Sequence, residues 1–154
     1  MPPKPQTPTK ILFRFHSNIF DEEMVETMWA DIVDAKKGLY KLDNIPFYVP
    51  KVASGDVVFA EYDADEEMLC YRKTVKPSGN STVQVVLIDE TKEINYIRAI
   101  FEKLGCPSEK VNEGYFAMEI PAGADHEDVF DKLDELEEEE VIGYAVACLG
   151  ENPR

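Results

Sequence analysis

Basic side chains are scarce in this chain, with 16 Lys and Arg against 31 Asp and Glu in 154 residues, a formal charge of −15. That imbalance excludes non-specific binding to DNA, RNA or anionic lipid, where affinity comes from Lys and Arg displacing counterions. Histidine is nearly missing, with only His16 and His126, and tryptophan occurs once, at Trp29. The three cysteines, Cys70, Cys106 and Cys148, share no C-x-x-C spacing, which excludes a thioredoxin-type pair and a cysteine-rich zinc site. Their odd number, with Cys70 and Cys148 inside apolar alternating segments, predicts free thiols and a cytoplasmic location. No apolar run is long enough for a membrane-spanning helix. Residues 1–9, with four prolines and one lysine, lack the apolar core of a signal peptide and read as a disordered tail. There is no G-x-G-x-x-G, no Walker loop, no G-x-S-x-G and no H-E-x-x-H, so no cofactor is expected and no catalytic residue is selected.

What is present is a globular balance, 44% apolar residues against 31% charged. From Lys10 to Ile88 the pattern is strand after strand. Ile11, Phe13 and Phe15 alternate, Met24–Val33 carries Trp29, and Val57–Tyr62, Met68–Val75 and Thr82–Ile88 follow, separated by Asp, Gly, Pro and Asn turns. The polar break Asp63–Glu66 predicts a hairpin, and Pro46 makes Tyr40–Val49 an edge strand or a bent crossing. After Ile88 the spacing changes. Ile94, Ile97, Ile100 or Phe101, and Leu104 recur at helical period, with Asp89 or Thr91 as the cap and Gly105 just past the end. A second hairpin turns at Asn112-Glu113-Gly114, with Gly114 expected in the left-handed conformation. Asp125 caps a second helix with the stripe Val129, Phe130, Leu133 and Leu136, and a last strand runs Tyr144–Leu149.

The expected fold is therefore α+β: an N-terminal antiparallel β sheet or partly open barrel, followed by a ferredoxin-like β-α-β-β-α-β unit. The organisation expected is a tail at 1–9, a β-rich lobe at 10–88 and a second lobe at 82–150, one integrated domain sharing strand 82–88. Charge divides along the same boundary. Residues 1–88 carry 10 basic and 13 acidic side chains, and residues 89–154 carry 6 and 18, so the lobes stand at −3 and −12.

Between Asp125 and Glu140 there are ten carboxylates and one lysine, ending in Glu137, Glu138, Glu139 and Glu140. Carboxylates at a helix C-terminus oppose the macrodipole and repel one another, at a cost of about a few tenths of a kcal/mol per pair. A solvated face and a binding surface both account for the run. Asp125-His126-Glu127-Asp128 is not a metal site on spacing, because a helix turns His126 away from the face shared by Asp125 and Asp128; it reads as capping carboxylates beside a surface histidine.

The most individual segments are Tyr40–Phe47 (YKLDNIPF), Gly55-Asp56-Val57-Val58 and Ser78-Gly79-Asn80-Ser81-Thr82. In combination, from Phe13 to Leu149, they resemble a family of small bacterial proteins of unknown function that shares Y-x-L-D-N-I-P-F, G-D-V-V and S-G-N-S-T segments. The resemblance implies bacterial origin and a single integrated domain, and it supplies no reaction. Read as structure, Asn44 forms an Asx-type turn with Asp43, Phe47 plugs the core and Asp56 accepts loop amides. Read as a site, Asn44, Asp56 and Asn80 converge near Tyr40 and Trp29 to make a small pocket with an aromatic wall.

Two functions follow as expectations. One is an acidic protein-interaction module using Glu137–Glu140, in its narrowest form an immunity-type inhibitor of a basic toxin or nuclease. The other is a small-ligand-binding or sensing domain using the pocket. The expected partner is a basic protein, with no nucleic acid and no membrane; the oligomeric state has no signal in the sequence.

Overall fold

The computed structural model describes residues 8–17 and 20–150, so most of the expected tail lies outside the described residues. Thr9, assigned to that tail from sequence, opens the first strand. The elements are β1 (Thr9–Ser17), β2 (Glu22–Asp34), β3 (Leu39–Leu42), β4 (Val57–Asp63), β5 (Met68–Lys76), β6 (Ser81–Leu87), α1 (Ile94–Glu102), β7 (Ser108–Asn112), β8 (Tyr115–Ile120), α2 (His126–Glu138) and β9 (Ile142–Cys148). The protein is a mixed α+β fold of mostly antiparallel sheets with two helices. No helix among the described residues is long and apolar enough to cross a membrane.

Strands β1 to β5 form a closed barrel rather than a partly open one. Four of its pairings are antiparallel; the fifth, β1 against β5, is parallel through Ile11 opposite Leu69 and Leu12 opposite Cys70. Closure removes the free edges that an open five-stranded sheet would expose. Period-2 alternation sends Ile11, Phe13, Met28, Ala30, Leu42, Val58 and Ala60 inward, and Tyr71 stacks on Phe13 at 4.7 Å. Trp29 faces outward with Lys10 Nζ 4.9 Å from its ring centroid, while Tyr40 belongs to the barrel core.

The chain from β6 onward forms a second sheet in the order β7-β8-β6-β9, antiparallel throughout. Helices α1 and α2 pack onto it through Ile94, Ile97, Phe101, Val129, Leu133 and Leu136, which close over Val83, Val85, Phe116, Met118 and Ile120. The cap of α1 differs from expectation. Glu93 holds the cap position without a side-chain bond, while Asp89 Oδ1 accepts from the Thr91 amide and hydroxyl in an Asx turn that ends three residues before Ile94. At α2 the Asp125 carboxylate accepts from the Asp128 amide at 3.1 Å, the expected cap. Gly114 is not left-handed, since the turn closes through Asn112 Oδ1 accepting from its amide at 2.8 Å.

Both helices end with the same pair of backbone bonds. In α1 the Cys106 amide reaches the Phe101 carbonyl and the Gly105 amide reaches Glu102; in α2 the Val141 amide reaches Leu136 and the Glu140 amide reaches Glu137. This double closure needs one left-handed residue. α1 uses Gly105 at φ +88°, and α2 uses Glu140 at φ +59°.

Candidate functional site

Of Tyr40–Val49, expected to be an edge strand or a bent crossing, Tyr40–Leu42 belong to β3, which is paired on both sides, and the chain from Asp43 to Asp56 then bends between the two sheets with hydrogen bonds to both. On one side Glu26 of β2 receives three of its amides, Phe47 at 2.7 Å, Tyr48 at 2.9 Å and Val49 at 3.0 Å. On the other, the Phe47 carbonyl accepts the Tyr115 hydroxyl, the Lys51 amide donates to the Ala147 carbonyl at 2.8 Å, and Thr82 Oγ1 donates to the Val52 carbonyl at 3.2 Å. Val49 and Val52 plug the barrel core, and Phe47, expected to do so, is only half-buried. Pro46 takes the buried position before it, so the bend leaves Phe47 at the seam. Tyr48 stacks on Tyr115 with centroids 5.4 Å apart and planes 9° from parallel.

The five residues of the sequence-derived pocket fall in three places. Asn44 does not close a local Asx turn; its Oδ1 accepts from the Trp29 amide at 2.6 Å and pins the crossing to β2, so Asn44 and Trp29 are neighbours. Tyr40 is buried in the barrel. Asp56 and Asn80 come together with Ser54 and Ser78. Asp56 Oδ1 accepts from the Ser78 amide at 2.8 Å and its Oδ2 from the Ala53 amide at 3.1 Å. Asn80 donates to the Ser54 carbonyl at 2.9 Å and accepts from the Ala122 amide at 2.9 Å. Beside them a cleft of about 950 Å³ opens between the lobes, with Lys51, Cys148 and Gly150 on its walls.

Glu26, Tyr48 and Tyr115 are not among the site residues expected from sequence. Burial pushes the Tyr115 phenol far above its ordinary range, with the nearby Tyr48 and Glu26 acting in the same sense, so it stays protonated as a donor. Burial likewise pushes the Cys106 thiol up to about 11, and Cys106 is fully buried in the second core, which makes it packing rather than a nucleophile. His126 is not the surface histidine expected. It is 7% exposed, with Nδ1 3.0 Å from the Ala124 carbonyl. No group of three or more metal-binding side chains occurs among the described residues.

Glu119 of β8 is half-buried at the same seam. Burial raises its pKa, and a hydrogen bond from Ser54 opposes that rise only in part. A carboxyl whose folded pKa exceeds its unfolded one contributes stability that is full below the unfolded pKa and lost as pH rises through the folded value. Glu119→Gln is therefore expected to melt higher than the native chain at pH 7, by about 2–4 °C per kcal/mol recovered. The difference should vanish near pH 4, where the native carboxyl is neutral too. Equal melting differences at both pH values would refute this reading.

All ten carboxylates from Asp125 to Glu140 are exposed. Three are engaged by neighbours. Asp125 caps α2, Glu135 pairs with Lys132 at 2.5 Å, and Asp134 accepts from the Tyr144 hydroxyl at 2.6 Å. That bond and the surrounding carboxylates push the Tyr144 phenol up to about 12.

A family model described as a domain of unknown function (DUF4265) matches residues 26–144. A crystal structure described as that of a hypothetical protein from Neisseria gonorrhoeae is similar at a TM-score of 0.82, covering 96% of this chain and 99% of that one at 24% identity. That likeness extends to the fold. No curated protein matches the chain.

Proposed function

Because the chain belongs to the family described as a domain of unknown function (DUF4265), we propose a function from its own surface chemistry: an acidic module that docks a basic protein. The observation that carries this reading is the end of α2. Glu137, Glu138, Glu139 and Glu140 sit at the negative end of the helix dipole, and Glu140 holds the left-handed position that α1 gives to Gly105. Folding alone favours other residues at each of these sites, so a binding role explains why carboxylates stand there. Ten exposed carboxylates on one short segment steer a basic surface into contact and occupy positions it would offer to phosphates. The narrowest form of the reading is an immunity-type inhibitor covering the basic face of a toxin or nuclease. The sheet order β7-β8-β6-β9 with two crossover helices supports describing the second lobe as ferredoxin-like, with α2 as its exposed outer layer. Three free thiols suit a cytoplasmic setting.

The test is capture from lysate of the source organism by the tagged protein at low and high salt, beside a variant with Glu137 to Glu140 all replaced by Gln. The replacement removes charge that opposes the dipole, so the variant should fold at least as stably as the native chain. A basic protein held at low salt, released at high salt and lost by the variant is the expected result. Equal retention by both proteins would remove the surface from consideration.

A second reading, a small-ligand or sensing domain, is favoured by the cleft of about 950 Å³ beside Asp56 and Asn80. A thermal upshift with a metabolite library, unchanged in the quadruple variant, would select it instead.

A further inference from the structure

A second groove, of about 470 Å³, lies against the second sheet and is lined by Tyr48, Gln84, Val86, Tyr115 and Glu137 among others. We propose that it receives an arginine side chain of the basic partner; this rests on the docking reading and names the group that the acidic surface delivers.

The aromatic wall is built before any ligand arrives. Tyr115 is fixed by its hydroxyl on the Phe47 carbonyl, Tyr48 by its amide on Glu26, and the two rings are stacked 9° from parallel. Stacked phenols present negative π faces, which attract a cation at short range. Glu137 is the one charged residue among the described residues lining the groove, and it begins the run Glu137–Glu140. Val86, one residue from the end of β6, is 41% exposed where a solvated strand position would ordinarily be polar. An arginine satisfies all three features together. Its methylene stem covers Val86, its flat guanidinium stacks on tyrosine, and its forked N–H groups match the Glu137 carboxylate. A lysine ammonium offers the charge without the plane or the fork, so the groove should rank arginine above lysine.

The measurement is an NMR titration of the full chain in 150 mM salt with N-acetyl-arginine methylamide, using the lysine and glutamate analogues as comparisons. The expected result is saturable shifts of the Tyr48 and Tyr115 rings and the Val86 methyls, larger for arginine than lysine and absent for glutamate. Glu137→Gln should weaken the arginine probe by about fivefold. Tyr48→Ala removes half the wall, and Val86→Lys places a cation inside the groove from an exposed position that the core does not use. Both should abolish the shifts, and Val86→Lys gives the answer if Tyr48→Ala disturbs folding. Shifts confined to the α2 carboxylates and indifferent to Val86→Lys would overturn the groove while leaving acidic docking intact; no shift anywhere would overturn it as well. Failure of docking itself is read separately, from the quadruple variant retaining its partner.

Discussion

Glu26→Ala should lower the unfolding free energy by about 3–5 kcal/mol, because one carboxylate accepts three backbone amides, those of Phe47, Tyr48 and Val49. Bonds to a charged acceptor contribute about 1.5–3 kcal/mol each when lost from partly buried donors, and the three are not independent, so the expected sum lies below the maximum. Glu26→Gln separates the bonds. Oε1 serves Tyr48 and Val49 while Oε2 serves Phe47, so a glutamine with its oxygen in the first position keeps two amides and turns its NH₂ on the third. The expected order is native, then Gln, then Ala, read from urea midpoints with the slope unchanged. An alanine variant within 1 kcal/mol of the native chain would show that the crossing is held by its apolar contacts, Val49 and Val52, instead. The same substitution bears on the groove, because Tyr48 is positioned by the amide that Glu26 holds. Loss of the arginine probe in Glu26→Ala, with the fold intact and the probe retained in Glu26→Gln, would tie the wall to this side chain.

The regular elements were legible because their signals are local and periodic. Alternation in Ile11, Phe13 and Phe15 marks β1, the spacing of Ile94, Ile97 and Phe101 marks α1, and Asp125 marks the start of α2. Barrel closure was not legible, since the parallel contact of β1 with β5 joins residues 58 positions apart, Ile11 and Leu69, and leaves no pattern in either strand. The left-handed Glu140 was hidden for a chemical reason. A glycine at a helix end announces the conformation, as Gly105 does, whereas a glutamate there reads as more of the helix. Glu26 stands in the inward phase of β2, opposite Phe13 and in line with Met24, Met28 and Ala30, a carboxylate in an apolar row; its three partners lie 21 to 23 residues away on a segment with no period, so the sequence does not show what it binds. Of the pocket predicted from sequence, Asp56 with Asn80 and Trp29 with Asn44 are each drawn together by hydrogen bonds, but turn-forming residues carry no information about which turns meet. Tyr40 was misplaced because an aromatic beside a turn reads equally as a wall or a core plug, and the inward face of β3 decides for the core.

Asp56 should tolerate substitution least among the residues picked out by sequence, and asparagine should not rescue it. The side chain is 3% exposed and spends one oxygen on each of two amides, Oδ1 on Ser78 and Oδ2 on Ala53. Alanine strands both donors, at about 2–4 kcal/mol. Asparagine has one carbonyl oxygen, so whichever way the amide turns, its NH₂ meets an N–H, and one buried donor is lost in addition to the repulsion. The cost of Asp56→Asn is therefore expected to approach that of Asp56→Ala, in contrast to Glu26, where one oxygen carries two of the three bonds. The effect should centre on the junction between lobes, because Ser78 begins the turn from β5 into β6 and Ala53 closes the crossing segment. Hydrogen exchange would then show faster opening at residues 52–56 and 77–80 than in either core. Full rescue by asparagine would assign Asp56 to the cleft instead, as a group whose charge is dispensable for folding and available to a ligand. A cost shared by both variants makes it the buried tie between the barrel and the second sheet.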